Sequence, residues 1–240
     1  MQQYFVQKKL SMDMEFDMTE EQSRHISTVL RMKDGKIIRL VDSQSSVFYG
    51  SIQVNKNIVR VKVPQPIVEE RESNVKITLA MALIKGERWD WVLEKATECG
   101  VFKIVPFISS RCVVKEKPEA TVRKLERYRK ILSEAAEQSY RHNISEILEP
   151  ISLKQLNEHK SEENFLAYEK EESHFLSSLK RDFSSVTIVI GPEGGFTREE
   201  ADYLIRQGFV SVSLGKRILR AETAAIAACI ILDTIGERHD

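Results

Sequence analysis

Short runs of apolar residues, broken by polar turns, characterise the first third of the chain. A strand is predicted at residues 4–6, and three β-branched runs, KIIRLVD, SVFYGSIQV and NIVRVKV, follow further on. Between them, the capping-box pair Thr19 and Gln22 opens a predicted short helix. Its apolar positions have helical spacing: Ile26, Val29 and Leu30. The pattern predicts a small antiparallel β-barrel.

The rest of the chain follows a strand, helix, strand rhythm. KITLAMALI is a continuous apolar strand, and the helix after it has Gly100 at its C-cap. One face of that helix is apolar: Trp89, Val92, Leu93 and Ala96. The pattern is completed by a long helix near residues 122–139, strands in ISEIL, NFLAY, VTIVIG and FVSVSLG, a helix after Thr197 and a last helix from about Ala221. Thr197 and Glu200 form a predicted capping box at the start of the helix after Thr197. This alternation predicts an α/β domain with a mostly parallel sheet.

The segment VPQPIVEERESN separates the two patterns. Its prolines, Pro64 and Pro66, and its cluster of charges are typical of a linker. The boundary predicted here divides the chain into domains at residues 1–72 and 73–240. A length of 240 residues suits one small and one larger domain.

Composition limits the possible partners and sites. Lys plus Arg and Asp plus Glu both total 36, so a nucleic acid would have to be held by a local basic patch. Cys99, Cys112 and Cys229 show no CxxC pairing, which argues against a disulfide framework or a zinc site. No apolar run approaches the roughly 20 residues that span a bilayer. We therefore expect a cytoplasmic protein with no membrane segment and no metal.

Two strands of the predicted sheet end in glycine. VTIVI runs into GPEGG, which is neither the dinucleotide fingerprint nor a P-loop, and on its own GPEGG fits a plain tight turn equally well. The second strand ends in SLGKRILRAETAA. Together, two such ends of a parallel sheet can wall a pocket whose backbone groups grip a purine and ribose. The apolar helix AAIAACIILDTI that follows is predicted to be buried, within the domain or against a partner subunit.

These two motifs, together with KGERWDWVLEKATECGV, SSRCVV and HISTVLRM, resemble the 16S ribosomal RNA uracil-N3-methyltransferases of the SPOUT superfamily. The resemblance extends over nearly the whole chain. It implies a PUA-like β-barrel that binds RNA, followed by a SPOUT-type α/β methyltransferase domain with a trefoil knot. It also implies a homodimer and S-adenosylmethionine as the methyl donor. One departure from the family pattern is Tyr140 in EQSYR, where glycine is usual.

The resemblance assigns the cofactor pocket to three strand ends. The residues concerned are Leu166, Glu169, Gly191, Glu193, Gly194, Gly195, Leu214, Gly215, Ile218, Leu219 and Arg220.

Methylation of uracil at N3 requires that the N3 proton leaves and that the resulting anion is stabilised. An arginine near the uracil oxygens supplies the stabilisation, and a carboxylate or water takes the proton. Arg220 and Glu222 in LRAETA are the first candidates, with Glu193 as the second carboxylate. The alternatives are that Glu222 caps its helix and that Glu193 bonds its own loop.

Basic residues on both domains are expected to contact the phosphates of ribosomal RNA or of the small ribosomal subunit. The candidates are Arg24, Arg31, Lys33, Arg111 and Lys115, whereas His25 is expected to pack. Two other functions remain open: a non-catalytic RNA-binding assembly factor, and the same methyl transfer on another RNA. The intact GPEGG and LRAET motifs speak against the first.

Overall fold

The computed structural model describes residues 1–56, 58–69, 71–113, 118–180 and 183–236. The chain divides into two compact units. The first comprises Met1–Arg71 and Glu137–Asn143, and the second comprises Glu72–Ala136 and Ile144–Asp240.

A five-stranded sheet forms the first unit. Its strands are β1 (Gln3–Phe5), β2 (Glu15–Asp17), β3 (Ile37–Val41), β4 (Val47–Asn55) and β5 (Ile58–Ile67), in the order β1-β3-β4-β5-β2. All pairs are antiparallel except β1 with β3, which is parallel. The purely antiparallel prediction is wrong at this edge, because the long connection from β1 to β3 leaves room for the chain to return in the same direction. Within the described residues β1 and β2 do not pair, so the sheet has two edges.

The predicted short helix is confirmed but has two parts. Helix α1 (Glu20–Arg24) starts at Thr19, whose side chain accepts a hydrogen bond from the backbone of Gln22 in a complete capping box. It continues as a π-helix, His25–Val29. The apolar face of this segment places Ile26, which is fully buried, in the core of the first unit.

The predicted linker is wrong over Pro64 and Pro66, which belong to β5. Strand β2 pairs only with residues 60–62 of β5, so the later part of β5 has no second strand partner among the described residues. Because proline has no N–H to donate, it fits a strand only at such an edge or at an irregularity. The β4–β5 ladder also changes register between Tyr49 and Ser51, opposite this stretch.

The second unit contains a parallel sheet, as predicted. Its strands are β6 (Lys76–Ala82), β7 (Lys103–Ile108), β8 (Glu146–Ile147), β9 (Ile151–Ser152), β10 (Glu163–Ala167), β11 (Ser185–Ile190) and β12 (Val210–Val212). The order is β12-β10-β11-β6-β7-β8, with β9 also paired to β7, and every pair is parallel.

Helices cover the sheet of the second unit. They are α2 (Glu87–Glu98), α3 (Pro118–Gln138), α4 (Arg198–Arg206) and α5 (Ala221–Gly236), with 3-10 helices at Leu153–His159 and Leu176–Ser178. The apolar face predicted for α2 is buried, and Gly100 after it has φ +81°, as its C-cap role requires. Helix α5 packs into the core on one side, whereas Ile230 on another side is 51% exposed, so burial within the domain accounts for only part of the apolar helix. No helix in these described ranges is both long and apolar enough to cross a membrane.

Tyr140 offers a test of backbone strain in the first unit. Its φ of +57° lies in the left-handed region, and its ring lies 5.5 Å from the Arg39 guanidinium and 5.6 Å from that of Arg71. Glycine adopts this φ without the steric cost of a Cβ. Both Tyr140→Gly and Tyr140→Ala lose the ring contacts, so we expect the Ala variant to be less stable than the Gly variant by about 1 kcal/mol. Urea unfolding of the two variants measures this, and equal stabilities would contradict the strain.

Candidate functional site

A cavity of about 260 Å³ lies at the carboxyl ends of β10, β11 and β12. Strand β10 lies between the other two, with Ala167 opposite Ile190 on one side and Val212 on the other. The three strands therefore end at one level of the sheet, which is where open α/β sheets bind ligands. The walls come from the residues after each strand: Ala167, Tyr168 and Glu169; Ile190, Gly191, Pro192, Glu193, Gly194, Gly195 and Phe196; and Ser213, Leu214, Gly215, Arg217, Ile218, Leu219, Ala221 and Ala224.

The GPEGG loop packs tightly against the sheet. Gly195 donates its N–H to the carbonyl of Pro192 at 2.9 Å and has φ +65°. A Cβ at Gly191 would lie 2.9 Å from the ring of Phe196. That ring is buried and stacks on Phe107, with 6.4 Å between centroids and 6° between planes. The absence of a side chain at Gly191 thus allows the ring of Phe196 to pack closely against the loop backbone.

Helix α4 begins directly after this loop, with the predicted capping box. The side chain of Thr197 accepts a hydrogen bond from the backbone N–H of Glu200, and one carboxylate oxygen of Glu200 accepts from the N–H of Thr197 at 3.0 Å. The other oxygen of Glu200 accepts from the N–H of Ser110 at 2.8 Å. The loop after β7 is therefore tied to the start of α4.

The wall after β12 is open and apolar. Gly215 has φ +130°, and its N–H donates to the Ser213 hydroxyl at 3.4 Å. Ile218 lines the cavity although 79% of it is exposed. Apolar side chains in such a position are available to cover a ligand.

The loop after β10 is held by a carboxylate. Glu171 accepts hydrogen bonds from the N–H and hydroxyl of Ser173 and from the N–H of His174, at 2.7 to 3.0 Å. These bonds favour the charged form and lower the pKa of Glu171 to about 2. The loop lies two residues beyond Glu169, which lines the cavity.

Most residues predicted for the cofactor pocket line this cavity, but two do not. Leu166 is fully buried in the core beneath it, and Arg220 is exposed outside the described lining. Glu222 stands in the first turn of α5, half-buried, and its Oε2 has no hydrogen-bond partner among the described residues. Glu193 lies 3.1 Å from Arg88 in an ion pair, so its carboxylate bonds outside its own loop.

The residues predicted to contact RNA occupy different places. Arg24, Arg31 and Lys33 are exposed in the first unit, and Arg31 has φ +51°. Arg111, in the second unit, donates from Nη1 to the carbonyl of Gly194 at 2.7 Å. Lys115 lies outside the described residues. As expected for a packing residue, His25 has its Nδ1 3.0 Å from the hydroxyl of Tyr4.

Comparison with known proteins identifies the family. The model of the RNA methyltransferase domain family matches residues 71–233. The ribosomal RNA small subunit methyltransferase E of Bacillus subtilis is 35% identical, over 95% of this chain and 94% of that protein. The same enzyme of Rickettsia conorii is 32% identical, over 97% and 95%. The chain belongs to the methyltransferase E family.

Solved structures of methyltransferase E family members share the fold. The Neisseria gonorrhoeae enzyme, whose crystal structure is bound to S-adenosyl methionine, is 28% identical and covers 98% of both chains with a TM-score of 0.89. This chain is thus similar over its whole length to a cofactor-bound relative.

Sequence reasoning missed several residues that line the cavity in this family member. These are Ile190, Pro192, Phe196, Ser213, Arg217, Ala221 and Ala224, whereas Ala167 and Tyr168 lie within the predicted strand end at residues 166–169. Most are neighbours of predicted residues in the same motifs, so extending each motif by one or two positions finds them. Within the described chain, no group of three or more His, Cys, Asp or Glu is placed to hold a metal.

The packing of Gly191 on Phe196 gives a stability test. Gly191→Ala places a methyl group against a buried ring, and we expect it to destabilise the fold by about 1–3 kcal/mol. Phe196→Leu removes the ring, so Gly191→Ala should cost less in the Phe196→Leu background. Denaturant unfolding of the wild type, both single variants and the double variant measures the coupling. An equal cost in both backgrounds would contradict the contact.

Proposed function

We propose that this protein transfers a methyl group from S-adenosylmethionine to N3 of a specific uridine in 16S ribosomal RNA of the small subunit. The observation that carries the proposal is the cavity built from GPEGG and LGKRIL in a chain of the methyltransferase E family. The relative from Neisseria gonorrhoeae is bound to S-adenosyl methionine. Within this proposal the protein acts in the cytoplasm.

The cavity fits the cofactor chemically. S-adenosylmethionine supplies an electrophilic methyl group on a cationic sulfur. Apolar side chains of Ile190, Ile218 and Leu219 offer surface for an adenosine, and the glycines of the loop leave backbone groups accessible. The lining also carries the carboxylate of Glu169, which complements the cationic sulfur, and the guanidinium of Arg217, which complements the carboxylate of the cofactor. The pocket requires no metal.

The reaction needs one group that accepts the N3 proton and one that stabilises the uracil anion. We assign stabilisation to Arg220, since a guanidinium beside developing negative charge acts electrostatically. We assign the proton acceptor to Glu222. Its Oε2 is buried without a hydrogen-bond partner in the described chain, whereas Glu193, which lines the cavity, is paired with Arg88. Either carboxylate acts as a general base only when ionised.

The first unit is proposed to dock the RNA as a PUA-like barrel, with the domains at residues 1–72 and 73–240. Arg24, Arg31 and Lys33 are exposed, and Val29 and Leu30 beside them are 64% and 41% exposed. Guanidinium and ammonium groups contact phosphates, while exposed apolar side chains contact unstacked bases. The π-helix at His25–Val29 is a rare conformation that often occurs at functional sites.

The second unit is proposed to be a SPOUT-type domain with a trefoil knot that forms a homodimer. One side of α5 supports the dimer: Thr223, Ala227, Ile230 and Thr234 recur at intervals of four, three and four residues and are exposed or half-buried. The opposite side of α5 packs into the core. An exposed stripe of small and apolar residues on an apolar helix suits contact with a second copy.

Two variants separate chemistry from docking. Arg220→Ala should lower the single-turnover methylation rate about 100-fold at saturating RNA and leave RNA affinity nearly unchanged. Arg31→Ala should weaken RNA binding and reduce the salt slope by about 1, while the saturated rate stays near wild type. The measurements are mass spectrometry of N3-methyluridine in 16S RNA and in small subunits, RNA binding at several salt concentrations, and calorimetry of S-adenosylmethionine binding in excess chelator.

Each contrary outcome has a clear meaning. Reversed effects would exchange the roles of the two units. S-Adenosylmethionine binding that vanishes in excess chelator would overturn the metal-free pocket. Ribosomal RNA with unchanged N3-methyluridine content in a strain lacking this protein would overturn the substrate.

The proposed dimer predicts the effect of one charge. Ala227→Glu places a carboxylate on the exposed stripe of α5, where burial without a partner is unfavourable. We expect the variant to sediment as a folded monomer at micromolar concentration, whereas the wild type and the control Ile205→Glu on α4 sediment as dimers. A monomeric wild type would refute the dimer.

A further inference from the structure

The GPEGG loop is held from outside by two arginines that follow neighbouring strands. Arg88 stands in the first turn of α2, after β6, and its Nη2 lies 3.1 Å from Glu193 Oε1. Arg111 follows β7, and its Nη1 donates to the Gly194 carbonyl at 2.7 Å and to the Phe196 carbonyl at 3.3 Å. Strands β6 and β7 are the next two after β11 in the sheet.

The Arg111 contact is made to backbone and is closely packed. A Cβ at Gly194 would lie 3.4 Å from Cβ of Arg111 and 3.5 Å from its Cδ, so the arginine stem lies along the loop. Hydrogen bonds from a guanidinium to carbonyls are charge-assisted and stronger than those between neutral groups. Two carbonyls on either side of Gly195 are thereby fixed in direction, and both Gly194 and Gly195 line the cavity.

The segment that carries Arg111 is itself anchored. The N–H of Ser110 donates to Glu200, and the N–H of Cys112 donates to the carbonyl of Ser109 at 3.2 Å. Ser109 is buried, with its hydroxyl 3.4 Å from the sulfur of Cys112. Because the backbone on both sides of Arg111 is fixed, only the side-chain rotamers remain to be ordered when it bonds the loop.

We infer that Arg111 is a positioning residue of the cofactor loop, which it holds in its binding geometry through the carbonyls of Gly194 and Phe196. This role is an alternative to the RNA contact predicted from sequence. It rests on the proposed function, because the ligand of the cavity is taken to be S-adenosylmethionine. Arg111 is not itself part of the cavity lining, and it acts on the cavity through its hydrogen bonds to the backbone of the lining residues Gly194 and Phe196.

The test compares Arg111→Ala and Arg111→Lys with the control Arg206→Ala, which removes the same charge from an exposed position on α4. Removal of a charge-assisted hydrogen bond should raise the dissociation constant and the KM for S-adenosylmethionine about tenfold. We expect kcat at saturating cofactor, RNA affinity and its salt slope to stay near wild type. Arg111→Lys retains one donor and should recover part of the affinity.

A second readout needs no cofactor. Hydrogen exchange of the peptide covering residues 191–197 in the free protein should be faster in Arg111→Ala than in the wild type and in Arg206→Ala. The expected combination is faster exchange of this loop, a raised KM and partial rescue by lysine.

The outcomes separate this inference from the function on which it rests. Arg111→Ala with wild-type cofactor affinity and weakened RNA binding would overturn the positioning role and restore the RNA contact. Unchanged loop exchange would also overturn it. A wild-type protein that binds no S-adenosylmethionine would overturn the proposed function, whereas faster loop exchange would still show that Arg111 holds the loop.

Discussion

The pairing of β10 with β11 on one side and β12 on the other is the constraint on which the candidate site depends. Ala167 lies opposite both Ile190 and Val212, so three strands stop at one level and three loops begin there. Since all pairs are parallel, every loop leaves from the same edge of the sheet. A change of register in either pair would separate the walls of the cavity. The backbone hydrogen bonds between these strands thus determine which loops surround the cavity.

Local signals allowed much of this fold to be predicted. The capping boxes at Thr19 and Thr197 and the C-cap at Gly100 depend on residues within one helical turn, and the structure has all three. The parallel sheet followed from continuous apolar runs that alternate with amphipathic helices. The glycines of both strand ends were predicted to be near a ligand pocket because only small residues allow such close approach of the backbone. Those features require no knowledge of distant contacts.

The features that the sequence did not predict depend on residues far apart in the chain. Pro64 and Pro66 fit a strand because β2 begins only at Glu15, opposite Lys62 of β5, and no local pattern reveals where that pairing begins. Residues 137–143 belong to the first unit, although they include the end of the long helix α3, most of which belongs to the second unit. Arg111 appears in a basic stretch and was interpreted as an RNA contact, yet its guanidinium bonds a carbonyl 83 positions away. Charge alone does not distinguish a phosphate from a carbonyl as the partner.

The strand order also has a consequence for how the protein is made. Strand β6 pairs with β11, which is synthesised about a hundred residues later. Strand β10 pairs with β12 along its other edge, and this pairing cannot form until β12 has been synthesised. Pairings of such long sequence separation form slowly, because the intervening chain must be ordered first. All three walls of the cavity come from residues 167 onward. During translation, the nascent chain can therefore hold no ligand in this cavity until almost all of it has emerged, and β6 remains an open edge until then.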